Sequence, residues 1–312
     1  MEINFLESRI RDFINSPRKQ AILQKDAASW NKLSSALDVV GDTQLAIESH
    51  SKFEQVTNYG ECYIVIYGIL QALLIQQDAV KAICEVLEIR YKLPEQLIKI
   101  RKVRNSSSGH PIYQTENKVV KSSFIDRCFM SSSAFHIIDV FSNDEESKRQ
   151  FISIPDLIIV QNKHISEKLE QIIKELERKE MEHRKKHKSQ KLVDVFPQTL
   201  TYHIGNISEA TFNKEILSCG IASLQVISKY LDDFKNELSK RSEWGLHDGI
   251  DHYYELLEYS ISRLNNYFSD DKDNLLNEKD AYIFACFISS HIKKLKSIAE
   301  DIDKEYESTL PS

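Results

Sequence analysis

Arg104-Asn105-Ser106-Ser107-Ser108-Gly109-His110-Pro111 brings together side chains suited to phosphodiester chemistry. A guanidinium is permanently charged and offers fixed donors to phosphate oxygens. An imidazole exchanges a proton near neutral pH. Together the two can cleave RNA without a metal, because the ribose 2′-OH supplies an internal nucleophile. Gly109 permits an unusual dihedral just before His110, and Pro111 disfavours the α conformation there and holds it extended.

Spacing alone does not single this segment out. Arg followed four to six residues on by His also occurs at Arg178/His183 and Arg241/His247. Only Arg104 has Asn, Asp or His directly after it; Ser242 follows Arg241. The surroundings are also distinctive. Arg90, Lys92, Lys99, Arg101, Lys102, Arg104, Lys118 and Lys121 share their window with only two acids, Glu95 and Glu116, in a chain of net charge −6. A local basic island is what a polyanion site requires, and a solvated helix face would carry the same charges.

Other clusters have simpler readings. His247, Asp248, Asp251, His252 and Glu255 place Asp248, His252 and Glu255 on one helical face, which suits half of a metal site. His291 is the one obvious further ligand, and acidic residues in a first helical turn explain the cluster without metal. The run His183-Arg-Lys-Lys-His-Lys188 would complement a helix C-terminus or touch an RNA backbone. No metal and no cofactor is expected.

The elements that must position the motif are mostly helices. Eight Gly and six Pro in 312 residues are too few for a many-stranded sandwich or barrel. Short amphipathic helices punctuated by Pro17 and Gly41 are expected over 1–50. A densely apolar helix follows within 53–90, at the centre of a bundle. Its residues Tyr67, Gln71, Asp78 and Lys81 lie within about 40° of one face, a stripe that could face the motif. Pro94 suits the first turn of a basic helix ending at Arg104. Ala134–Phe141 and 148–154 read as one β-hairpin, closed by Pro155 and followed by a long charged helix to about Lys191. Three helices are expected near 208–240, 245–268 and 279–307, the last starting at Asn277 and Asp280. The fold class is mostly α, a helical bundle with a small β-hairpin insertion. The expected domains are 1–192 and 193–312, with the boundary loop carrying Pro197 and Gly205.

Five scattered cysteines without a C-x-x-C pair read as reduced, buried thiols. The charged first twenty residues do not suit a signal peptide. The longest apolar stretch, Cys62–Ile75, is too short to span a bilayer. A cytoplasmic chain with no membrane partner is the expectation.

Arg104, Asn105 and His110 resemble, in order and spacing, the motif of the HEPN superfamily of helical-bundle ribonucleases. The apolar helix Tyr59–Asp78, the hairpin and the long charged helix are similar to those of standalone bacterial members. The resemblance covers roughly 53–190. The His-x-Tyr ending of one toxin branch is absent, since Tyr113 stands three residues after His110. The resemblance implies a metal-independent endoribonuclease, a homodimer in which two motif loops share a cleft, and a toxin or antiviral-defence role with an antitoxin or other defence partner. It implies His110 as general acid or base, Arg104 as the group stabilising phosphate charge and Asn105 as an orienting residue. Lys99, Arg101, Lys102, Ser108 and Gly109 would contact RNA, and Asp78 would orient Arg104. The family also includes non-catalytic RNA- or nucleotide-binding and interaction modules, antitoxin-like partners among them, which stands as the alternative.

Overall fold

Scarce helix breakers and dense Leu, Ile, Lys and Glu yield long helices, and the computed structural model shows them. It describes residues 2–53, 56, 58–116, 119–142, 146–269 and 275–307. The chain divides into two compact units, 1–176 and 177–312.

The first unit holds α1 (Glu2–Ile14), α2 (Pro17–Leu23), α3 (Ala27–Ser49), α4 (Tyr59–Val86) and α5 (Glu95–Arg104). Four strands follow, β1 (Gln114–Glu116), β2 (Val119–Met130), β3 (Ala134–Phe141) and β4 (Lys148–Ser153), and then α6 (Ile154–His187). The boundary between the units falls within α6. Gly41 lies inside α3 and does not break it, because an isolated Gly costs a helix only about 1 kcal/mol. Asn58 caps α4, its Oδ1 accepting from Gly60 N–H at 2.8 Å.

Leu33, Leu37 and Val40 of α3 pack with Ile66, Leu70, Leu73 and Val80 of α4 in one buried cluster. Full burial of each such side chain contributes about 1.5–3 kcal/mol. Yet α4 is not buried all round, as Ile64 is 73% exposed. At 28 residues it is also longer than the apolar stretch suggested, and by length and composition alone it could cross a membrane. Half of its apolar window is packed inside this unit.

The insertion is larger than a hairpin: an antiparallel sheet in the order β1-β2-β3-β4. β2 escaped the sequence reading because a shift of register between Ile125 and Met130 breaks its alternation. Ile125, Phe135, Ile137 and Ile152 turn one face into the helical core. Phe124, Val140 and Phe151 stay exposed. Pro155 opens α6 and does not merely close the hairpin.

The second unit is built from the end of α6 with α7 (Leu200–Ala210), α8 (Leu217–Lys240), α9 (Asp248–Phe268) and α10 (Glu278–Glu307). The segment expected as one helix over 208–240 is therefore two, and Gly205 lies within α7, not in a loop. Gly220 permits close approach, since a Cβ there would stand 2.6 Å from Ala210 Cβ. Asn277 and Asp280 cap α10 reciprocally, each side chain accepting from the other's backbone N–H.

Arg241, only 1% exposed, pairs with Asp303 at 3.3 Å and donates to the Gln190 carbonyl. The Asp303 carboxylate also accepts from the N–H groups of Leu192 and Val193 at 2.9 and 3.0 Å. Removing one partner of a buried pair strands the other charge. Asp303→Ala is expected to destabilise this unit by about 3–5 kcal/mol. Urea unfolding followed at Trp244, with Trp30 replaced by Phe, measures it.

All five cysteines are free. Cys62 and Cys84 are buried as expected, and burial pushes the Cys84 thiol up to about 11. Cys128, Cys219 and Cys286 are exposed, contrary to expectation: Cys219 and Cys286 occupy outward positions of α8 and α10, and Cys128 lies where the register of β2 shifts.

Candidate active site

Helix α5 does not end at Arg104. It widens into a π turn over Asn105–Gly109, closed by His110 N–H donating to the Asn105 carbonyl at 2.8 Å. Part of the cause lies in the serines. Ser107 and Ser108 donate their hydroxyls back to the carbonyls of Val103 and Arg104 at 2.8 and 3.3 Å, competing with the regular ladder. Single π turns recur at functional sites.

Arg104 is held from two sides. Its Nε and Nη2 donate to Gln71 Oε1 at 3.2 and 2.9 Å, and its Nη1 donates to Asn105 Oδ1 at 3.2 Å. Asn105 thus orients the arginine directly, and Gln71 of the α4 stripe does what Asp78 was expected to do. Asp78 pairs with Arg101 instead, which also donates from Nε to Gln77 Oε1 at 2.7 Å. About two helical turns separate Gln71 from Asp78 along α4, whereas Arg101 and Arg104 stand just under one turn apart on α5, so the two long arginine side chains diverge to reach them.

Gln77 belongs to a buried amide network that the sequence reading missed. Its Nε2 donates to Gln161 Oε1 at 2.9 Å, and Gln161 Nε2 donates to Gln76 Oε1 and the Leu73 carbonyl at 3.0 Å. Gln76 Nε2 in turn donates to Gln44 Oε1 at 3.1 Å. Gln76, Gln77 and Gln161 are fully buried. Unpaired, each amide would cost stability, so the network fixes the relative position of α3, α4 and α6 beneath Arg101. Adjacent glutamines at 76 and 77 in an apolar helix were its only local signal.

Gly109 has a reason other than the one expected. Its φ is not positive. A Cβ there would overlap Arg104 Nη1 and stand 3.1 Å from both Arg104 Cζ and Asn105 Oδ1. The missing side chain makes room for the guanidinium. His110, at φ −137° and ψ 56°, is outside the helical region as Pro111 demands, though short of fully extended.

The imidazole of His110 is exposed and has no hydrogen-bond or charge partner among the described residues. Its backbone is secured by neighbours. Gln114 Nε2 donates to the His110 carbonyl at 3.0 Å, Ser123 N–H to the Pro111 carbonyl at 2.7 Å, and Ser122 Oγ to the Ile112 carbonyl at 2.7 Å. Strand β2 therefore carries the far side of the motif loop.

The basic island is partly neutralised. Lys99 pairs with Glu95 at 3.3 Å, and Lys121 with Asp139 at 3.4 Å while also reaching Ser106 Oγ at 3.3 Å. Lys102 is exposed on α5, and Lys118 lies outside the described residues. Beside the loop is an open cleft of about 490 Å³ lined by Tyr63, Tyr67, Ser107, Pro111, Phe124 and Arg127, among others. Burial, with the neighbouring Tyr63 phenol, raises the Tyr67 hydroxyl above its ordinary range, so it stays neutral there.

The remaining constellations resolve otherwise. Arg241 is spent on Asp303, so Arg241/His247 does not form a second motif. Among the described residues no three His, Cys, Asp or Glu side chains are placed to hold a metal ion. His291 is stacked on Phe287 at 3.7 Å and donates to that residue's carbonyl. His183 is hydrogen-bonded to the Tyr306 hydroxyl at 3.0 Å, inside the second unit. No family model matches the chain, and comparison with curated proteins and with solved structures found no match.

Proposed function

We propose that this protein is a metal-independent endoribonuclease acting through Arg104, Asn105 and His110. The observation that carries the reading is the contrast between the two ends of the π turn. Arg104 is locked by Gln71 and Asn105 over a glycine, and His110 stands exposed, without a partner among the described residues, at the end of the same π turn. A preorganised cation beside a free imidazole suits a reaction that develops charge on a phosphate while a proton moves.

In that reaction the ribose 2′-oxygen attacks phosphorus and the bond to the 5′-oxygen breaks. The products are a 2′,3′-cyclic phosphate and a free 5′-hydroxyl. His110 takes the 2′-OH proton or supplies one to the leaving oxygen. Arg104 stabilises the phosphorane charge, and Asn105 fixes the guanidinium. Arg101, Lys102, Lys99, Ser108 and Gly109 surround the phosphate path.

One chain supplies one such imidazole, so the complementary proton step falls to a second copy. Ile64 at 73% and Ile75 at 37% exposure share one face of α4, and the exposed Ile64 favours a homodimer. Ile64→Asp is expected to convert a dimer into a monomer by light scattering and to lower cleavage at least about tenfold, a burden of some 1.4 kcal/mol per decade. The corresponding biological role is a cytoplasmic toxin or abortive-infection effector restrained by a partner protein.

The direct test is purified protein with total RNA in EDTA, with product ends analysed for cyclic phosphate. Cleavage that requires a divalent metal, or 5′-phosphate products, would count against this mechanism. Binding without cleavage would identify the non-catalytic alternative.

A further inference from the structure

The cleft beside the motif loop has a composition of its own. Tyr67 is 41% and Phe124 51% exposed, so two large rings lie open to solvent beside the serine turn. Tyr63 stands with Tyr67, ring centroids 5.6 Å apart. Arg127 completes the lining. Arg101, Arg104 and Arg149 are each held by a side chain, Arg149 by Asp126, whereas exposed Arg127 has no partner among the described residues. Pro111, the neighbour of His110, forms part of the same wall.

We infer that this cleft binds one unpaired nucleotide of single-stranded RNA next to the scissile phosphate, an inference that rests on the ribonuclease reading. The base stacks on Tyr67 and Phe124, and a phosphate is held by Arg127. Aromatic faces accept any base, and stacking requires a base that is out of a duplex. The volume of about 490 Å³ lies within the roughly 300–1,000 Å³ typical of small-ligand sites. Arg127 supplies the charge complementarity that an apolar protein partner would not need. The substrate class is therefore single-stranded RNA with little sequence preference at this position.

The test uses the full chain and a fluorescent eight-nucleotide oligouridine with 2′-O-methyl sugars, which lacks the nucleophile and cannot be cleaved. Tyr67→Leu is expected to raise Kd about tenfold, as loss of one stacking platform does. Tyr67→Phe should restore wild-type binding. Arg127→Gln should weaken binding severalfold and reduce the salt slope by about one ion. On a cleavable oligonucleotide the same variants should raise KM with kcat nearly unchanged.

Unchanged Kd and KM in Tyr67→Leu and Arg127→Gln, with wild-type cleavage intact, would overturn the cleft assignment and leave the ribonuclease reading standing. Cleft-dependent binding without any cleavage would do the reverse. No binding and no cleavage by the wild type would overturn both. A changed oligomeric state in Tyr67→Leu would make the cleft a surface between copies and likewise overturn the assignment.

Discussion

His110→Ala is expected to lower RNA cleavage by about 10³-fold or more, the upper part of the range for loss of a positioned acid or base. Its fold should be untouched. The side chain is exposed and has no partner among the described residues, so truncation removes no packing. Surface changes of that kind usually alter stability by less than about 0.5 kcal/mol. The measurement is single-turnover cleavage in EDTA beside thermal unfolding of both proteins. An unchanged rate in folded His110→Ala would remove His110 from the mechanism. In cells, wild-type expression should arrest growth and His110→Ala should not.

Gly109→Ala is expected to reduce cleavage about 10²-fold, the cost of displacing a catalytic group by about an ångström. The added methyl overlaps the Arg104 guanidinium, not backbone. The far end of a flexible arginine can swing aside, so the fold tolerates the change. Within a helical turn, Ala is favoured over Gly by roughly 0.5–1 kcal/mol, which offsets any local crowding. The variant should therefore unfold no earlier than wild type while losing most activity. Had Gly109 served a left-handed backbone, the same substitution would chiefly destabilise. Its φ is not positive, and the two explanations separate cleanly by this pair of readouts. Arg104→Ala provides the limit, since it removes the cation that Gly109→Ala only displaces.

Much of the frame is legible in the sequence. The Asn277/Asp280 start of α10 followed from capping chemistry, which is local. β3 and β4 followed from two apolar runs around a polar turn. β2 did not, because its register shift interrupts the alternation by which a half-buried strand is recognised. The break between α7 and α8 was missed because apolar residues continue through Ile216 and Leu217 without Gly or Pro to mark it.

The site divides in the same way. Arg104, Asn105, Gly109 and His110 lie within seven consecutive residues, so residue type and spacing along the chain suffice to single them out. The stripe carrying Gln71 was also visible, as helical periodicity alone aligns its members. Partner choice was not. Asp78 and Gln71 sit on one face of α4, and either side chain could have met Arg104; the answer depends on the axial offset of α4 against α5, set by core packing. Arg241 and Asp303 are 62 positions apart, and nothing near either residue announces their pairing. The cleft likewise joins α4 to β2 across some sixty residues. Short-range chemistry thus named the candidate reacting groups and showed the helical class. Their partners, the reason for Gly109 and the aromatic cleft arose from packing, because contacts between distant segments are chosen by how the whole core fits together and leave no mark on either segment alone.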